Sequence, residues 1–190
     1  MNRIRPTLFA AAIAALPAVA AASADSEYYA TVYGGQGTRS SIHEILFQTE
    51  FEDSWFVGAG VGKTLATLTP DLTLEAEGNL LKHMGKQNHW EAAAAPMLRW
   101  HTFPWNDTVA TTFGIGLGLS YATDLPVIEQ EKNGKSNTLM VFLPVEVTLA
   151  PEKDSKWEGV LRIHHRSGAW GVVGPRGGSN FATAGLRYHF

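Results

Sequence analysis

The sequence predicts an eight-stranded antiparallel transmembrane β-barrel preceded by a cleaved export signal. Three observations predict it. Segments of about ten residues alternate between large apolar and small or polar side chains. The connections between them alternate between short and long. The chain ends GLRYHF, a terminal Phe behind apolar or aromatic residues at alternate positions.

Residues 1–24 read as a signal peptide. Arg3 and Arg5 supply a positive start, Leu8 to Ala22 is an apolar run too short and Ala-rich for a spanning helix, and Ala22-Ser23-Ala24 fits the small-residue cleavage rule. The mature chain, residues 25–190, then forms the barrel. It has no later run of 18 apolar residues, so it crosses a membrane with strands or not at all.

Eight strands follow from the period-two pattern, near residues 27–36, 54–66, 71–82, 89–101, 108–121, 138–149, 157–167 and 180–190. In the third, Leu72, Leu74, Ala76, Gly78 and Leu80 oppose Thr73, Glu75, Glu77 and Asn79. The fifth sets Val109, Thr111, Phe113, Ile115, Leu117, Leu119 and Tyr121 against Ala110, Thr112, Gly114, Gly116, Gly118 and Ser120. In the sixth, Leu139, Val141, Leu143, Val145, Val147 and Leu149 oppose Met140, Phe142, Glu146 and Thr148.

A soluble sandwich also alternates, so the other features decide. Short turns are expected at Thr69-Pro70-Asp71, 103–107 and 151–155, and longer connections at 37–53, 122–137 and 168–179, with only 83–88 short in that second set, the habit of outer-membrane barrels. Trp55, Trp90, Trp100, Trp105, Trp157, Trp170 and Tyr188 fall near strand ends, where interfacial girdles lie. An eight-stranded barrel is just wide enough for side chains to fill. The polar faces must therefore pack Glu75, Glu77, Glu91, Glu146, Glu158, Arg99, Arg162 and Arg187 inside, as paired charges in a plugged core with no pore. Glu146 with Arg162, and Glu158 with Arg187, are the pairs that hairpin register brings together.

Composition narrows the function. A net charge of -3 gives no basis for nucleic-acid binding, and the absence of cysteine excludes disulfides and thiolate chemistry. The stretch RIHHRSGAW, Arg162 to Trp170, carries the chemistry of interest. Alternation puts His164 inside with the charges. It puts His165 and Ser167 outside, two residues apart on one face, with Cβ atoms roughly 6–7 Å apart at the outer rim. His164 and His165 point to opposite faces and do not chelate one metal as a pair. Two readings of the outward pair stand. Polar residues suit the headgroup zone, and a His beside a Ser is also a general base beside a nucleophile.

Ile163 to Phe190, with H-x-S at the top of the seventh strand, a Gly-rich loop and a final strand, resembles the lipid A 3-O-deacylase (PagL) family of outer-membrane barrels. The resemblance implies a hydrolase that removes an acyl chain from lipopolysaccharide in the outer leaflet. His165 would be the base and Ser167 the nucleophile, with no cofactor and no metal. The partners it implies are lipid A and outer-membrane lipids. The family has Asn directly after the serine, where this chain has Gly168. It has Glu twelve residues after the serine, where this chain has Ser179. Its last loop carries an Asn at the oxyanion hole, where this chain reads Gly174-Pro175-Arg176-Gly177-Gly178. Gly168, Ser179 and Asn180 are the neighbours available to orient the base or hold an oxyanion, and Glu129 or Glu131 of the preceding long loop are the nearby carboxylates. The alternative is a non-enzymatic barrel that binds lipopolysaccharide, supports the envelope or serves adhesion.

Overall fold

The structure, a computed structural model, describes residues 28–42, 44, 45 and 49–190; the segment read as a signal peptide lies outside the described residues. The strands are β1 (Tyr28–Thr38), β2 (Phe51–Thr69), β3 (Leu72–Gly85), β4 (Trp90–Trp100), β5 (Ala110–Gly116), β6 (Gly118–Ala122), β7 (Leu139–Ala150), β8 (Trp157–Ser167) and β9 (Gly178–His189). Every neighbouring pair is antiparallel, and β1 pairs with β9, so the sheet closes on itself.

β5 and β6 are two halves of one pass across the barrel. Their register with β4 and β7 continues unbroken from one half to the other. Pro96 on β4 and Pro144 on β7 flank the break at Leu117, and neither has an N–H to give the ladder. The predicted eight strands are thus eight passes, one of them interrupted by its neighbours' prolines.

The alternation sorts as lipid and core require. Val32, Val57, Val61, Leu80, Leu98, Ile115, Leu119 and Leu161 form an exposed apolar belt, with Trp90, Trp100 and Trp157 at strand ends. Inside, the charges pair. Arg162 bonds Glu146 through Nε (2.8 Å) and Nη2 (2.5 Å) and reaches Glu77 at 2.7 Å. Arg99 holds Glu75 at 2.7 Å and also touches Glu146, and Arg187 holds Glu146 at 2.8 Å. Arg187 lies 3.8 Å from Glu158. Above this ionic layer, Phe56, Phe142 and Phe181 pack against His164 and His83.

The short turns and both ends of the described barrel lie together at one end. The opposite end is capped by an element that the period-two reading did not anticipate. Helix α1 (Val127–Asn133) starts behind Pro126 and stops at left-handed Gly134 (φ 71°). It buries Ile128 among Tyr33, Phe56, Leu81 and Phe181. Lys132 and Glu131 tie it to Arg39 (2.8 Å) and Lys86 (3.0 Å), which closes the barrel mouth.

Candidate active site on the outer wall

β8 sets the site. Val160, Arg162, His164 and Arg166 are buried inside, whereas Leu161, Ile163, His165 and Ser167 lie on the outward face. Arg166 extends the inward set by one more position and is fully enclosed, a cation that the sequence reading passed over although it continues the same alternation. His164 Nε2 bonds Glu91 at 2.8 Å among the aromatic rings, a structural place.

His165 pairs across the sheet with Asn180 of β9. Its Nδ1 lies 2.6 Å from Asn180 Oδ1. The same amide donates through Nδ2 to the Ser40 carbonyl at 2.8 Å, which fixes which end of it faces the ring. An amide oxygen only accepts, so the imidazole proton sits on Nδ1 and Nε2 keeps its lone pair. Asn180 is buried although it points outward: it pairs with Thr38 at the end of β1, and the chain just beyond brings the Ser40 carbonyl onto its amide. The result is a base held in one tautomer by a buried amide, its free nitrogen on the lipid side.

The other sequence candidates separate. Ser179 faces the interior, where its hydroxyl bonds Glu129 at 2.8 Å and so lies on the opposite side of the sheet from His165. Glu129 does fold over from α1, but it meets Ser179, Ser136 (2.6 Å) and Arg166 (3.4 Å). Glu131 is spent on Lys86. Gly168 cannot carry a side chain: a Cβ there would run into the carbonyl oxygens of Pro175 and Gly174. Its N–H is given to the Gly177 carbonyl at 3.1 Å. Ser167 half-emerges beside His165, and among the described residues no hydrogen bond joins the two.

The backbone after Ser167 is unusual. Ala169 (φ 48°), Trp170 (φ 56°) and Gly171 (φ 103°) are all left-handed. For the two side-chain-bearing residues this costs of order 1–3 kcal/mol each. Gly168 (φ -78°, ψ 7°) followed by left-handed Ala169 approximates the succession that gathers consecutive N–H groups into one concavity. The turn also thrusts Trp170 (89% exposed) and Val172 (85%) outward at the rim. A cavity of about 330 Å³, lined by His101, Lys153, Glu158 and His189, opens at the opposite end of the barrel. The His165 patch, by contrast, lies on the outward face of the wall.

No protein-family model and no curated protein matches the chain. Among solved structures its fold is similar to that of the outer membrane enzyme PagL, with a TM-score of 0.58 and 12% identity over 85% of this chain and 99% of that one. It is also similar to Neisserial surface protein A, with a TM-score of 0.52 and 12% identity over 87% and 98%. Likeness at this identity concerns the fold, which is common to a named enzyme and a named surface protein. By that fold, its closed sheet and its apolar belt, the chain is an outer-membrane β-barrel.

Proposed function

We propose that this barrel hydrolyses an acyl ester of lipid A in the outer leaflet, with Ser167 as nucleophile and His165 as base. The observation that carries the reading is the His165–Asn180 pair, a tautomer-locked imidazole whose free nitrogen shares the lipid face with a serine. Nε2 takes the Ser167 proton as Oγ attacks the ester carbonyl. The resulting oxyanion would rest against the N–H groups of Ala169 and Trp170, while the Gly168 N–H stays with Gly177. Collapse breaks the ester C–O bond, and the imidazolium returns its proton to the leaving sugar hydroxyl. Water, activated by the same His165, then releases the fatty acid and restores Ser167. Asn180 orients the ring as the asparagine of Cys-His-Asn enzymes does, without a carboxylate's charge. Turnover is therefore expected to be slow.

A second reading, a non-enzymatic barrel that binds lipopolysaccharide, supports the envelope or serves adhesion, draws on the missing Ser167–His165 hydrogen bond. Mass spectrometry of lipid A from cells with and without this protein separates the two. Loss of one acyl chain that depends on Ser167 and His165 supports the hydrolase. Unchanged lipid A with a folded wild-type barrel, or deacylation that persists in Ser167→Ala, refutes it.

A further inference from the structure

Inside the barrel, on the wall away from Ser167, His83 on β3 and Glu91 on β4 flank the connection that carries Gln87 and His89. All four residues are buried. One nitrogen of each histidine and one Glu91 oxygen lie within 4.8 Å of one another. The two imidazoles lie nearly parallel, their centroids 4.4 Å apart. The Glu91 carboxylate is fixed from one side. Ser120 (2.6 Å) and His164 (2.8 Å) both bond its Oε1, while Oε2 meets His83 Nε2 at 2.8 Å and has Arg166 Nη1 at 3.9 Å.

Two buried atoms at this place have no partner, His89 Nε2 and Gln87 Oε1. Orphaned polar atoms in a core cost free energy, and two of them beside converging lone pairs point to a ligand. We propose that His83, His89 and Glu91 bind one divalent late-transition-metal ion of the Zn²⁺ type, which fastens the β3–β4 connection to the barrel interior.

The chemistry of the donors selects the ion. Two imidazoles and one carboxylate are a recurrent Zn²⁺ set. Ca²⁺ and Mg²⁺ want more oxygen ligands than this place offers. The chain has no cysteine, so there is no thiolate to favour a soft monovalent ion. Binding would move the His83 proton from Nε2 to Nδ1. Gln87 Nε2 now points at that Nδ1, at 3.1 Å. Turning the Gln87 amide over would let its orphaned Oε1 accept the new N–H, the usual outer-shell support of a metal-bound histidine. One ion thus accounts for both orphaned atoms. Zinc bonds of about 2.0–2.1 Å require the donors to draw in by roughly 1 Å, within reach of a side chain on a connection. Glu129, 3.4 Å from Arg166, offsets the nearest cation.

The test uses the full chain, purified in detergent without an affinity tag and stripped with a chelator, with Co²⁺ as the spectroscopic probe. One equivalent of Co²⁺ is expected to bring up the visible bands of a four-coordinate site, and Zn²⁺ should abolish them. Gln87→Ala should weaken Co²⁺ binding about 10- to 100-fold, and His89→Ala by at least as much. His189→Ala, at the other end of the barrel, should leave it unchanged. A folded wild-type barrel with no stoichiometric bands overturns the proposal, as do bands that persist in folded His89→Ala. If His89→Ala does not fold, the wild-type and Gln87→Ala titrations decide. None of these readouts depends on lipid A hydrolysis.

Discussion

Replacing Arg162 by Met is expected to cost the barrel about 3–5 kcal/mol, the toll of breaking a buried ion pair from one side. The structure shows where the charge is left. The ionic layer balances three carboxylates, Glu75, Glu77 and Glu146, against three guanidiniums, Arg99, Arg162 and Arg187. Without Arg162, Glu146 keeps Arg187 at 2.8 Å and its contact with Arg99. Glu77 loses its 2.7 Å partner and keeps Arg187 at 3.4 Å and the Tyr29 hydroxyl at 3.2 Å. The uncompensated charge therefore settles on Glu77, in a place with no access to water. Adding Glu77→Gln to Arg162→Met should recover part of the loss, with a coupling of about 1–3 kcal/mol between the two sites. Urea unfolding of the barrel in lipid vesicles, followed by tryptophan fluorescence, measures both. An Arg162→Met barrel with an unchanged midpoint, or a double variant in which the two losses simply add, refutes the balanced-layer reasoning.

Four further outcomes follow from the same structure. Asn180→Ala frees the His165 ring and should lower any deacylation, by as much as about 10⁴ if the amide does what the third member of a serine triad does; a variant as fast as wild type removes Asn180 from the site. His164→Ala should lower stability and reduce lipid A deacylation only as the folded fraction falls; loss of deacylation in a fully folded barrel reverses the facing of β8. His101, at the turn end, is held below its ordinary pKa of 6.5 by burial first and then by Arg99, so the fold prefers its neutral form. Stability should fall as pH drops below about 6.5, and His101→Asn should flatten that slope, which urea midpoints between neutral and mildly acidic pH would show; an identical slope in the variant excludes this histidine. A tag inserted near Lys132 should be labelled on intact cells and one near Lys153 should not, and the opposite pattern inverts the barrel in the membrane.

The sequence alone determined the pass count, the closure and the facing of each pass, because a period of two ties every side chain to one of two media once lipid and a narrow core are specified. His164 facing opposite to His165 follows from that parity, and Glu146 opposite Arg162 follows from parity together with the short turn between their strands. Parity carries no information about which distant strands or loops meet. Asn180 was legible as a neighbour of the site, but its role depends on register between β8 and β9, which the long 168–177 connection leaves unset in one dimension. The Ser40 carbonyl that orients it comes from the far end of the chain. Helix α1 left its marks in Pro126 and Gly134, yet its burial of Ile128 and its delivery of Glu129 to Ser179 exist only once the mouth is built. Gly168, at the position where the lipid A deacylases that the sequence resembles carry Asn, reads as a lost group in the sequence. In three dimensions it is a steric demand, since the loop folds back across it. The two histidines and the glutamate beneath the β3–β4 connection likewise become one cluster only when the hairpin closes and the barrel excludes water, for burial turns spacing into a site.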